Sequence, residues 1–105
     1  MRQVGRFLHL GELSVDTTHG RRGIGRTLVE AVAVRAGQLG LDGVSLSTFR
    51  AVPFNAPFYA ALGFVELPLE TAPPELASLF YDEVPKGVDP GARLLMTRSS
   101  AIQGR

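Results

Sequence analysis

The residues best placed to do chemistry lie in one run, His19-Gly20-Arg21-Arg22-Gly23-Ile24-Gly25-Arg26-Thr27-Leu28, set between two apolar segments. Glycines let backbone N–H groups converge, and a helix starting there adds partial positive charge, so the run suits an anion such as a phosphate. Arg21, Arg22 and Arg26 strengthen this, because cations at a helix N-terminus are unfavourable unless an anion sits among them. Two nucleotide loops match in part. Gly20 to Thr27 follows G-x-x-x-x-G-K-[ST] except that Arg26 replaces the lysine, and a guanidinium fork is no substitute for a compact ammonium. No later strand ends in a magnesium-binding aspartate, since Asp42 precedes its strand. Gly23-Ile24-Gly25 supplies the G-x-G of a dinucleotide loop, but Leu28 stands where the third glycine belongs.

Beyond the loop, the reactive side chains are few. Tyr59 and Glu12 carry titratable groups, and Asn55 suits a helix cap. His9 and His19 share no ligand spacing, so no metal site is expected. The sequence contains no cysteine, which excludes disulfides, thiolate catalysis and Cys-based zinc sites. A net charge of +1 gives no general case for nucleic acid or membrane surfaces. No apolar run spans a bilayer and Met1 opens no signal-peptide pattern, so a soluble cytoplasmic protein is expected.

The elements that must position these residues alternate in type. Phe7 to Val15 reads as a strand with apolar residues on both faces. Gly23 to Leu39 reads as a helix with Ile24, Leu28, Ala31, Val32 and Leu39 at helical spacing, stopped by Gly40. Val44 to Phe49 alternates as a second strand. A short helix is expected over Ala56–Leu62, with Pro57 in its first turn and Gly63 after its end. Strands over Phe64–Leu67 and Ala92–Arg98 follow, with one or two helical turns over Glu75–Val84 between them. At 105 residues the order describes one small α/β domain.

Two motifs in this order carry a resemblance. VDTTHGRRGIGRTL resembles the acetyl-CoA loop of the GNAT family of N-acetyltransferases, Q/R-x-x-G-x-G/A, with Gly23 and Gly25 as its final glycines and Gly20 at its Q/R position. STFRAVPFNAPFYAALGF, Ser47 to Phe64, is similar to the family's second motif, a strand, an asparagine loop and a short helix ending in Y-x-x-L-G-F. The tail ELASLFYDEVPKGVDPGARLLMTR resembles the C-terminal region of some bacterial members. The likeness runs from about Leu8 to Arg98.

The resemblance implies a mixed sheet with flanking helices that splits between Glu12–Val15 and Val44–Thr48 to admit the pantetheine arm of acetyl-CoA, the co-substrate. It implies an acetyl-CoA loop over 19–28 and a second motif over 44–64. The pyrophosphate is expected on the N–H groups from Arg21 to Arg26, with Arg21, Arg22, Gly23, Gly25, Arg26 and Thr27 as its holders. Leu13 and Val15 are expected to offer backbone groups to the pantetheine amides, and Asn55 its side-chain amide. Tyr59 is implied as the acid that protonates the leaving thiolate, and Glu12, or a water chain ordered by Glu12 or His9, as the base. The reaction implied is direct attack by a primary amine, on a small molecule or peptide, in a ternary complex. The family places three strands and two helices before the strand at Leu8, whereas only Met1 to Arg6 stand there. A partial domain over 1–98 with a flexible tail over 99–105 is therefore expected, and a second copy or partner chain completing the sheet. The rival readings are an acyl-CoA-binding or dimerisation module without catalysis and, third, a P-loop-like nucleotide binder.

Overall fold

The structure, a computed structural model, describes residues 2–10, 22–50 and 55–100, the side chains of 22–26 and 55–56 apart. Five strands form one sheet: β1 (Arg2–Val4), β2 (Phe7–His9), β3 (Gly43–Phe49), β4 (Val65–Glu66) and β5 (Arg93–Ser99). The helices are α1 (Arg22–Gln38), α2 (Asn55–Ala61) and α3 (Pro74–Asp82). The sheet order is β1-β2-β3-β5-β4. β2 and β3 are parallel, joined through α1, and every other pairing is antiparallel. The mixed α/β architecture expected from the sequence is therefore present.

β3 is the spine. Six of its seven residues are buried, because it lies between β2 and β5 in the sheet and between helices on both faces. On one face Leu8, Val44, Leu46, Leu94 and Met96 pack against Val29, Val32, Ala33 and Ala36 of α1 and against Tyr59, Leu62 and Phe64 around α2. On the other, Val4, Phe7 and Leu95 pack against Leu76 and Phe80 of α3.

Several details differ from the sequence reading. β1 pairs with β2 in register Arg2↔His9 to Val4↔Phe7, so Arg2 to Val4 form a strand that hydropathy did not mark. Among the described residues β2 spans Phe7–His9 with Leu10 continuing its bonding; the expected continuation to Val15 lies outside them. α1 buries the stripe Val29, Val32, Ala33 and Ala36, whereas Leu28 and Leu39 of the expected stripe are exposed. The alanines win that face because their small side chains let the helix backbone approach β3. β5 runs through Ser99, and Ser100 is buried with its N–H donating to the Asp42 carbonyl, so the fold extends past the expected boundary at Arg98.

The Y-x-x-L-G-F motif has a local cause. Gly63, at φ +97°, ends α2. Its N–H donates to the Ala60 carbonyl and the N–H of Phe64 to the Tyr59 carbonyl, the paired bonds of a Schellman cap. The apolar contact that accompanies such a cap is Phe64 against Tyr59, edge to face with centroids 5.8 Å apart. The same bond pattern, Gly40 to Gly37 and Leu41 to Ala36, ends α1.

Candidate functional site

Two features stand out, on opposite faces of the sheet. The first is the N-terminus of α1. The helix begins at Arg22, so Arg22, Gly23 and Gly25 are among its first four residues, whose N–H groups an α-helix leaves unbonded, while Arg26 is the fifth. No acidic residue occupies the first turn, although acids are the residues this position favours. Thr27 is exposed one step further along. Glu12, Leu13, Val15 and Arg21 lie outside the described residues. Asn55 is the first residue of α2, and the backbone assignment alone describes it.

Tyr59 projects from α2 into the core beneath α1. It is 5% exposed, with Phe58 edge-on at 5.3 Å and Phe64 at 5.8 Å. Two rings and a cap fix its aromatic plane, so its hydroxyl has a defined position rather than a choice of rotamers.

The second feature is a polar cluster on the α3 face, which no sequence motif announced. His9 is buried. Its Nδ1 lies 2.8 Å from the Ser45 Oγ, and its Nε2 lies 3.0 and 3.1 Å from the two carboxylate oxygens of Glu83, just after α3. The Ser47 hydroxyl donates to Glu83 Oε1 at 2.8 Å, and Arg93 Nη2 donates to Ser47 Oγ at 2.8 Å. The guanidinium of Arg93 stacks 4.6 Å above the Phe49 ring. In the neutral ring the bonding selects one tautomer. A carboxylate only accepts, so Nε2 carries the proton; Nδ1 then offers its lone pair, and the Ser45 hydroxyl donates to it. Arg93 Nε is buried with no hydrogen-bond partner, and among the described residues Ser47 and the Phe49 ring hold the cation. His9 is thus neither solvent-facing nor a plain core residue. Phe49 lies on this same face, with the Arg93 guanidinium over its ring.

The cluster sits where the described pairing of β2 with β3 ends. His9 opposes Ser45, and the Leu10 N–H donates to the Ser45 carbonyl at 2.9 Å. β3 then continues for four residues bonded to β5.

A groove of about 680 Å³ opens at the other edge of the sheet, between β4, α3 and the start of β5, with Arg50, Glu66, Leu69, Tyr81 and Arg93 in its wall. Its wall includes β5, and β3 separates β5 from β2, so it does not lie between β2 and β3. Arg50 Nη2 bonds Glu66 Oε2 at 2.9 Å, and this hydrogen bond holds the Glu66 carboxyl below its ordinary range and Arg50 above its own. A lowered carboxyl stabilises the fold above the unfolded-state value and loses that contribution as pH falls through the folded one. Both side chains are about half exposed, so solvent screening limits the pair to under about 1 kcal/mol. Glu66→Gln is expected to lower the midpoint of thermal unfolding slightly at neutral pH, with the difference from the parent vanishing in acid below the carboxylate range.

Among the described residues no group of His, Asp and Glu is arranged to hold a metal, and no helix is long and apolar enough to cross a membrane. A family model described as an acetyltransferase (GNAT) domain matches residues 1–66, which is more than half of the chain. No solved structure matches.

Proposed function

The chain belongs to the GNAT family of acetyltransferases, and from that membership we propose that it moves an acetyl group from acetyl-CoA to a primary amine in a ternary complex. The observation that carries the reading is the start of α1 at Arg22, within the glycine–arginine run: an acid-free helix N-terminus surrounded by arginines in sequence is built for a pyrophosphate. When bound, acetyl-CoA supplies a thioester carbon open to attack by an amine. The backbone N–H groups from Arg21 to Arg26 hold its diphosphate, with Arg21, Arg22 and Arg26 neutralising charge and Thr27 beside them. Leu13 and Val15 offer backbone groups to the pantetheine arm, and Asn55 its amide. Tyr59 donates the proton the departing thiolate needs, from a ring that packing holds in place. Glu12 and His9 are the candidates to take the ammonium proton. The acceptor is a small-molecule or peptide amine.

Calorimetric titration with acetyl-CoA, with desulfo-CoA and Mg-ATP in parallel, tests the binding half. Uptake of both CoA compounds and not of ATP is the expected result. Uptake of ATP alone would replace this reading with a nucleotide-binding one, and CoA binding without transfer to any amine would favour a non-catalytic acyl-CoA module. Tyr59→Phe is expected to lower turnover by about a hundredfold with acetyl-CoA affinity unchanged; equal turnover would remove Tyr59 from the chemistry.

A further inference from the structure

Arg93 is the charge the fold leaves least compensated. It opens β5 and is 4% exposed. Taking a guanidinium out of water is costly unless an acid is paired with it. Among the described residues no carboxylate lies within ion-pair distance of Arg93. Its Nη2 donates to the neutral Ser47 hydroxyl, the Phe49 ring covers one face, and Nε is closed off with no partner. Glu83, the next acid along the bonding, stands one hydroxyl away and already accepts from His9 and Ser47. Nη1 is the nitrogen left to a ligand. A groove reaches this cation. Strand alternation puts Arg93 and Leu95 on the α3 face, and both line the groove of about 680 Å³ between β4, α3 and β5, a volume in the range of small-molecule sites. The second cation of its wall is already spent. Arg50 gives Nη1 and Nη2 to the two oxygens of Glu66 and Nε to the Gly91 carbonyl. Glu70 adds an exposed acid. The rest of the wall is largely apolar, with Leu69 and with Tyr81, whose ring stands edge to face with Phe80 at 5.4 Å and is 53% exposed.

We propose that this groove binds a small organic carboxylate with an aromatic or other apolar body, the carboxylate on Arg93 and the body along Leu69 and Tyr81. Charge decides the headgroup. One uncompensated cation matches one negative charge, whereas a phosphate dianion would bring a second charge up to Glu66 and Glu70. A charge-assisted bond from a buried guanidinium is also among the stronger polar contacts a carboxylate can make. The walls decide the body. A half-exposed ring beside an open groove gains by being covered, and an aryl group covers it edge-on or stacked. A structural role for Arg93 accounts for its bond to Ser47 and its place over Phe49, but not for a cavity that ends on it. The groove lies on the α3 face and α1 on the other, so the inference does not rest on the acetyltransferase reading.

The test is a titration of the ¹⁵N-labelled full chain with three probes of one shape: hydrocinnamate, hydrocinnamyl alcohol and phenyl phosphate. Hydrocinnamate is expected to shift the backbone amides of Leu69, Tyr81 and Gly91 and the side-chain Nε–H of Arg93, and to bind about tenfold more tightly than the alcohol. Arg93→Met keeps the length of the side chain and removes its charge, and is expected to bring acid and alcohol level. Tyr81→Ala, at an exposed position, is expected to weaken hydrocinnamate severalfold with the fold retained. Equal binding of acid and alcohol by the parent would overturn the proposal, as would shifts confined to residues away from the groove, tighter binding of phenyl phosphate than of hydrocinnamate, or no shifts at millimolar probe. The parent's acid-to-alcohol comparison and Tyr81→Ala decide the matter even where Arg93→Met does not fold: unchanged hydrocinnamate affinity in Tyr81→Ala would show that the body does not lie in this groove.

Discussion

Phe80→Ala is expected to remove about 3–5 kcal/mol of stability, a large share of the roughly 5–15 kcal/mol available to a domain of this kind. Phe80 is 1% exposed and, with Leu76 one turn earlier, is one of the two fully buried side chains of α3. Its ring fills the layer between the helix and Val4, Phe7 and Leu95. Nine residues of helix cannot hold themselves together in water, so α3 exists because this face is buried. Removing the ring leaves a cavity under a short helix and a satellite core of few members. The effect reaches the site, because α3 carries Glu83 to His9. Urea unfolding followed by circular dichroism measures the loss, with exposed Ser78→Ala as a comparison expected within about 0.5 kcal/mol. A loss under about 1 kcal/mol would show that the sheet face is covered without Phe80.

What the sequence could disclose follows from the range of the interactions. α2 and its cap are local, written in Tyr59, Leu62, Gly63 and Phe64 within one turn and its stop, and they were legible. So were β3, β5 and the start of α1. The face of α1 was not. From Leu28 to Ala36 the sequence is apolar nearly all round, so periodicity cannot choose a stripe, and the choice falls to which residues let β3 come close. β1 was missed because Arg2-Gln3-Val4 has no hydrophobic pattern; its place is set by pairing with β2. The polar cluster was hidden for a different reason. Ser45 and Ser47 read as the polar side of an alternating strand, and nothing local says that this side is covered by α3. Glu83 meets His9 across 74 residues and Ser47 across 36, distances over which a single sequence carries no spacing rule. The signal that could have raised it is the buried-strand pattern of β3 itself: serines on a strand with helices on both faces must find partners.

The same crowding around β3 makes Gly43→Ala the second large expected effect, about 3 kcal/mol or more from one added methyl group. Gly43 opens β3, buried, with Phe7 opposite on one side and Ser99 on the other. A Cβ at this position would fall on the carbonyl oxygen of Arg98, 2.9 Å from its carbonyl carbon and 3.1 Å from the Ser99 Cα. All three are backbone atoms, so no side-chain rotation relieves the clash; β5 has to move off β3. That end of the sheet is where neighbouring strands are tied, by the Asp42 N–H to the Arg6 carbonyl at 2.7 Å and the Ser100 N–H to the Asp42 carbonyl at 3.0 Å. Displacing β5 there therefore loosens Ser99 and Ser100 and shifts β3 against β2, two residues from Ser45 and its bond to His9. Chemical denaturation gives the stability loss, and hydrogen exchange of the amides from Arg98 to Ser100 locates it. A loss below about 1 kcal/mol with protection of those amides unchanged would mean that β3 and β5 part more easily than their seven-residue register implies. The full effect, accompanied by a shift of the His9 ring ¹⁵N resonances, would tie the packing of one glycine to the bond between His9 and Ser45.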